Sequence, residues 1–528
     1  PVYGGTGSGG LNMNYSRVTL LEGLENAGFK LNTELSDFYT AYAAEKPKAT
    51  GGIFSQNWSL PEPPAKTYPQ ELIDNAKAFS GNAVIVVSRI GGEGTDLPTD
   101  MASVEDGSWQ DGSSYHDGTY EQNSDEYIDF PEGTHILELS QSEKDMVDLV
   151  CKNFDNVTVV YNGANAMELG WVDEHPQIKS VLWCPGTGQS GFNALGEILC
   201  GDVNPSAKTA DTFVYDLTKT PTWNNFGNFV YDNMSEYDSE FMFGTFSLGE
   251  VHPSFINYTD NIYVGYRFYE TAAAEGFIDY DKTVQYPFGY GLSYTTFKQD
   301  VGTLTEQDGV LSVDVTVTNT GNVAGDEVVQ LYIRDLLSSV TTFEKNLCGF
   351  ERVHLAPGES KVVTFKILPR DLELMNRKGD WVVEPGEFKL MVGASSEDIR
   401  QEKNLWVLPY SECNILERKT SSGSYLSVLD NDPNTCWTGN KGDYLNIPMN
   451  ATGGANNIGI RWKVPAEKFE IQVSAGGGQF LTIYNGFSET AGEMIFYPLD
   501  KKVISDIRIL LTQGSASISE IKIDGVKM

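Results

Sequence analysis

Ala83-Val84-Ile85-Val86-Val87-Ser88 runs directly into Arg89-Ile90-Gly91-Gly92-Glu93-Gly94-Thr95-Asp96, and this junction decides the fold. The apolar run is too short for an ordinary helix and too continuous for a strand with one wet face. It suits a strand buried on both sides, as in a parallel sheet covered by helices. The glycines that follow let the backbone turn tightly and let another group approach closely. Loops at the carboxyl ends of parallel strands are where layered α/β folds place ligands. From the residues alone Glu93 has two readings, a solvated loop side chain or a functional acid.

Working outward, Val157–Tyr161 (VTVVY) and Ser180–Cys184 (SVLWC) repeat the strand pattern. Ser140–Lys152 (SQSEKDMVDLVCK) lies before the first of them. It opens with a capping box, read as Ser142 to Asp145, and continues with a helical apolar stripe. Gly191–Cys200 (GFNALGEILC) also reads as a helix. The alternation over residues 1–298 predicts an α/β layered sandwich domain with a mostly parallel sheet. Met101–Thr134 interrupts it and, being long, polar and acidic, reads as an inserted surface loop. Residues 299–410 change character. Leu311–Thr318, Glu327–Ile333, Lys361–Ile367 and Glu387–Val392 are separated by turn signals at Asn319–Gly321, Pro357–Gly358 and Pro385–Gly386. About seven short strands in such a stretch predict a β-sandwich. Residues 411–528 are again strand-like and turn-rich, ending in Ser519–Val526, and predict a second all-β sandwich module. The fold class is therefore multidomain.

Composition narrows the function. With 40% hydrophobic and 21% charged residues among 528, the chain is globular. Its 37 basic and 73 acidic residues leave a net charge of -36. That opposes nucleic acid and anionic membrane as partners, since both need a basic face. It fits a neutral substrate such as a sugar. No stretch of about 18 apolar residues is present to span a membrane. The chain opens at Pro1 without a Met, which reads as processing or trimming, and an extracellular or cell-surface location is expected. The six cysteines show no CxxC spacing, against a zinc site. Most lie in apolar stretches and are expected as buried thiols; Cys413 and Cys436 alone share a module in which a bridge could form. Gly4–Gly9 lacks the Lys-Ser/Thr ending and the full GxGxxG of a phosphate cradle, so nucleotide binding is set aside.

Tyr286–Phe297 (YPFGYGLSYTTF) resembles the signature that closes the second domain of glycoside hydrolase family 3, mostly β-glucosidases and β-xylosidases. Asn261–Tyr269 (NIYVGYRFY) is similar to the family's preceding block, and Trp183–Pro205 to its glycine-rich strand–helix segment. Val329–Tyr332 and Leu347–Glu351 resemble its fibronectin type III-like module. In simpler members a loop G-E-G-x-D-R supplies the general acid/base. The resemblance assigns that role to Glu93, with Asp96 in support, although Leu97 stands where the family has Arg. A retaining glycosidase needs a second carboxylate ~5–5.5 Å away. The family carries it as an Asp in a Ser-Asp-Trp-like motif on a separate (β/α)8 barrel. Ser36-Asp37-Phe38 matches that motif only superficially, between helical stretches. The resemblance thus implies reversed domain order, with Gly4–Gly9 following the first α/β strand and the barrel beyond Met528, on a second polypeptide or in a removed segment. The expected function is part of a retaining exo-acting β-glycosidase acting on an oligosaccharide, with no cofactor for catalysis and the barrel half as partner. The alternative is a non-catalytic carbohydrate-binding or structural fragment.

Leu429–Trp437 (LDNDPNTCW) and Ser519-Glu520-Ile521 resemble the discoidin, or coagulation factor 5/8 type C, family. In its sugar-binding relatives this turn holds calcium through the hard oxygen ligands that ion prefers. The resemblance implies Asp430, Asp432, Thr435 and Glu520 as ligands of a structural calcium. From the residues alone an Asx-rich turn without metal is an equal reading.

Overall fold

The computed structural model of the protein describes residues 2–4, 10–11, 14–49, 55–91, 97–108, 117–225, 229–307, 310–336, 338–384, 386–409, 425–429, 435–449, 457–474, 480–488, 490–499, 504, 506–523 and 526–527. The chain packs as two compact units. The first comprises Pro1–Pro205, Thr209–Gly265 and Gly276–Phe288; the second comprises Ser206–Lys208, Tyr266–Glu275 and Gly289–Met528.

The first unit is built from α1 (Leu20–Asn26), α2 (Thr33–Ala44), β1 (Ser55–Asn57), α3 (Gln70–Phe79), β2 (Asn82–Ser88), α4 (Met101–Glu105), β3 (Asp117–Thr119), α5 (Gln141–Asn153), β4 (Asn156–Asn162), β5 (Ile178–Trp183) and α6 (Gly191–Cys200), followed by shorter elements. β2, β4 and β5 form a parallel sheet in that order. Both faces are covered, as the unbroken apolar runs require. Ile85, Val87, Val159 and Tyr161 are buried with Met146, Val147 and Cys151 of α5. On the other face Val86, Val160 and Leu182 meet Phe192 and Leu195 of α6 and Leu20 of α1. α1 and α6 approach so closely that only glycine fits. A Cβ on Gly23 would lie 2.3 Å from the Phe192 carbonyl oxygen, and one on Gly196 2.4 Å from that of Gly23.

Two expectations change here. The capping box of α5 is Ser140–Glu143, not Ser142–Asp145: Ser140 Oγ accepts from Glu143 N and Glu143 Oε2 accepts from Ser140 N. Both pairs have the same spacing, and the earlier one prevails because Glu143 also meets Arg89. Met101–Thr134 is also more than a surface loop. Its β3 pairs in parallel with β1, and Met101, Val104 and Phe130 are buried with Trp58 and Ile136 in a small core. Cys151 is buried, Cys200 is exposed, and Cys184, Cys348 and Cys436 lie between; all five are free thiols, while Cys413 lies outside the described residues. Among the described residues no helix is long and apolar enough to cross a membrane.

The second unit contains both sandwiches. In the first, Phe297–Gln307, Val310–Asn319 and Ser360–Ile367 form one antiparallel sheet. Asn346–Leu355, Gly325–Asp335, Gly386–Gly393 and Ile399–Pro409 form the other. Strict alternation turns Val313, Val315 and Val317 inward against Val329, Leu331, Phe388 and Leu390. In the second, Trp437–Asn440, Ser515–Ile523, Asn457–Val464 and Met494–Pro498 face Tyr444–Pro448, Asp506–Gln513, Lys468–Ser474 and Leu481–Gly486. Its core includes Trp437, Trp462, Phe469, Leu511 and Ile518. Val526–Lys527 then pairs antiparallel with Leu408–Pro409 of the preceding sandwich.

Candidate active site

The carboxyl edge of the parallel sheet is tied together by buried polar side chains. Asn162, at the end of β4, donates from Nδ2 to the carbonyls of Cys184 (2.9 Å) and Val2 (3.0 Å). Its Oδ1 accepts from Ser88 Oγ and from the Val2 amide. Arg89, one residue past β2, is the more consequential group. Its Nη1 and Nη2 donate to the two carboxylate oxygens of Glu143 at 2.8 and 2.7 Å, and both side chains are buried. Nε donates to Ile136 O (2.5 Å), Nη2 also to Glu138 O (2.6 Å), and Nη1 also to Ser88 O (2.9 Å). A buried ion pair is tolerated only with such geometry and with its remaining donors satisfied. The network continues through Asp129, which accepts from Ser142 N and Oγ and from Asn123 N and Nδ2. Close packing also shapes the start of the glycine-rich segment: a Cβ on Gly91 would lie 3.0 Å from Asn165 Oδ1.

Glu93 and Asp96 lie outside the described residues, but the flanks of their segment do not. Ile90 and Leu97 both pack against the small core of Trp58, Met101 and Phe130. The insertion and both ends of the glycine-rich segment therefore share one foundation. Asp37 is exposed on α2, away from any such network. Of the residues expected to bind calcium, Asp430 and Asp432 lie outside the described residues. Glu520 carries ion pairs to Arg461 and Lys522, and Thr435 Oγ1 donates to Ser427 O. Among the described residues no three His, Cys, Asp or Glu side chains converge on a metal position.

One group escaped the sequence entirely. Glu62 sits in the loop Leu60–Pro64 (LPEPP), which offers no periodicity to read. Its Oε1 accepts from Tyr68 Oη (2.6 Å) and Tyr39 Oη (3.3 Å), and the two tyrosine oxygens are 2.6 Å apart. Its amide donates to Asn123 Oδ1, which also accepts from Tyr42 Oη. Burial pushes the Glu62 carboxyl up to about 8, helped by the negative charges of Glu143 and Asp129 and opposed by the tyrosine hydroxyls. A carboxyl raised in the folded state binds its proton more tightly there than when unfolded. The stability it contributes is complete below the ordinary carboxylate range and is lost as pH rises through about 8. Glu62→Gln, which stays neutral, is expected to flatten the fall in melting temperature between mildly acidic and mildly alkaline pH. Parallel wild-type and variant curves in a thermal scan would refute this.

Comparison with known proteins bears on what this edge does. The Glycosyl hydrolase family 3 C-terminal domain model matches residues 1–294, and the Fibronectin type III-like domain model matches residues 327–396. Thermostable beta-glucosidase B of Acetivibrio thermocellus is 34% identical over 301 residues, covering 56% of this chain and 35% of its own length. Beta-glucosidase A of Butyrivibrio fibrisolvens is 31% identical over 471 residues, 82% of this chain and 50% of its own. Among solved structures, beta-glucosidase 3B from Thermotoga neapolitana in complex with glycerol superposes with a TM-score of 0.57 at 29% identity, over 77% of this chain and 48% of that one. The chain spans half or less of the length of these relatives.

Proposed function

The chain belongs to glycoside hydrolase family 3, and from that premise we propose that it carries the general acid/base half of a retaining, exo-acting β-glycosidase, most simply a β-glucosidase. The observation that carries this reading is the anchoring of the two flanks of the Gly-Glu-Gly segment. It leaves β2 through a buried Arg89–Glu143 pair, and its far flank, Leu97, returns to the same small core as Ile90. A catalytic acid must be held within about half an ångström of its working position, and rigid roots at both ends serve that need.

In the proposed reaction Glu93 protonates the glycosidic oxygen while an Asp of the family's barrel attacks the anomeric carbon. Glu93 then takes a proton from the water that releases the sugar. Arg89 and Glu143 position the loop and touch no substrate. The barrel sits elsewhere on a longer chain or on a second polypeptide. It needs a large interface, more than ~2,000 Å² in total, to keep two carboxylates in register. Tyr231, Phe255, Ile256, Tyr258 and Val264 are exposed apolar side chains of the first unit, of a kind suited to such a contact.

The test is reconstitution. These 528 residues alone should leave p-nitrophenyl β-glucoside intact, and turnover should appear once the barrel is supplied. Full turnover without a barrel would sink the division of labour. A stable complex inactive on every aryl β-glycoside would favour a carbohydrate-binding or structural role instead.

A further inference from the structure

The loop that follows β4 lies beside the root of the Gly-Glu-Gly segment and is pinned along its length. Trp183 Nε1, from β5, donates to Gly163 O at 2.7 Å, and Tyr161 Oη donates to Asn165 O at 2.7 Å. A Cβ on Gly163 would lie 2.5 Å from Tyr161 Oη, so the chain passes over that hydroxyl only as glycine. Beyond the tip, Ala166, Met167 and Leu169 are buried in the core of the sheet, and Glu168 N donates to Leu137 O at 3.1 Å. The tip therefore has little conformational freedom left to lose on binding.

Ala164 and Asn165, at the tip, are exposed. The Asn165 side chain lies over Gly91, its Oδ1 3.0 Å from where a Cβ on that glycine would stand. Ser88, Arg89 and Asn162 on the same edge have their side chains committed to protein partners. Among the described residues only the backbone carbonyl of Asn165 is engaged, and its amide makes no hydrogen bond. That amide offers two donors and an acceptor at the carboxyl edge of a parallel sheet, where layered α/β folds receive ligands. It carries no charge to hold an ion; its complement is a hydroxyl, which also donates and accepts. Its place indicates which hydroxyl. On the catalytic reading above, on which this inference rests, the nucleophile attacks one face of the terminal sugar while the acid protonates the oxygen departing on the other. Asn165 packs on the residue two positions before Glu93, so it neighbours the departing group and not the face under attack.

We propose that Asn165 is a specificity-determining residue that hydrogen-bonds a hydroxyl of the leaving-group sugar, favouring glycosides of sugars over glycosides of simple alcohols. The experiment compares two substrates of the enzyme joined to its barrel: cellobiose, whose leaving group is a sugar, and hexyl β-glucoside, whose leaving group is an alkanol. Both leaving groups are poor and need the acid, so Glu93→Ala should slow both. Asn165→Ala should lower kcat/KM for cellobiose about three- to tenfold further than for the hexyl glucoside, the loss of one hydrogen bond. Melting curves check that the variant folds; if it does not, Asn165→Leu, similar in shape and without hydrogen-bonding groups, replaces it under the same criterion. A difference between the substrates of less than about threefold overturns the proposal. An equal fall on both would make Asn165 a support of the acid loop, and no fall on either would remove it from the site. If Glu93→Ala leaves both substrates unaffected, the catalytic reading itself fails, and the leaving-group assignment fails with it.

Discussion

Glu93→Ala, assayed in the enzyme joined to its barrel, is expected to slow cellobiose hydrolysis by about 10²–10⁴-fold, the usual contribution of general acid catalysis. A 2,4-dinitrophenyl β-glucoside should suffer far less in the glycosylation step, because its leaving group departs without a proton. Azide should rescue the second step, since a small anion needs no general base to attack the glycosyl-enzyme and leaves a glycosyl azide as product. The pattern across leaving groups is the discriminating measurement: a structural lesion slows all substrates alike. Unchanged cellobiose turnover would remove Glu93 from the chemistry and direct attention to the insertion. There Glu121 is held by Lys46 at 2.9 Å, and Glu105 closes α4.

Glu143→Ala is expected to be among the most damaging substitutions to the first unit. It strands the Arg89 guanidinium, whose side chain is 1% exposed, and it opens the capping box of α5. Breaking a buried pair from one side typically costs about 3–5 kcal/mol, chiefly because a charge remains without its partner. Several modules in one chain blur a global melting curve. Hydrogen exchange in peptides spanning β2 and the start of α5 reads the local opening energy directly. Replacing both partners together, Arg89→Met with Glu143→Leu, should recover the part of the loss that comes from the uncompensated charge, while the open cap of α5 and the three carbonyls that Arg89 satisfied remain as a residual cost. If Glu143→Ala alone costs less than about 1 kcal/mol, the scale of an exposed pair, the pair does not anchor the loop.

What the sequence disclosed, and what it hid, follows from how local each signal is. The strands around Ala83–Ser88 and Val157–Tyr161 were legible because burial on both faces leaves an unbroken apolar run. The sandwich strands were legible because one wet face forces alternation, as in Leu311–Thr318. The core beneath the insertion was not, since Trp58, Met101, Phe130 and Ile136 are scattered singly through polar sequence. Arg89 and Glu143 are 54 positions apart, and nothing local links them. The cap of α5 was misplaced by two residues because two pairs share one spacing, and only the tertiary contact with Arg89 chooses between them. Glu62 and the seat of Asn165 on Gly91 depend wholly on what folding brings together. The acid/base assignment came from family resemblance, whereas the buried Arg89–Glu143 pair and the core shared by Ile90 and Leu97 emerged only in three dimensions.

The short ladder between Leu408–Pro409 and Val526–Lys527 sets the chain entering the last sandwich beside the chain leaving it. Topologically, the middle sandwich carries the entire final module as an outgrown hairpin loop. Loop closure costs rise only with the logarithm of length, roughly 0.6 kcal/mol per doubling. A module with its own core is therefore thermodynamically a cheap appendage. It can be gained, exchanged or lost at that one doorway while the strands on either side keep their partners.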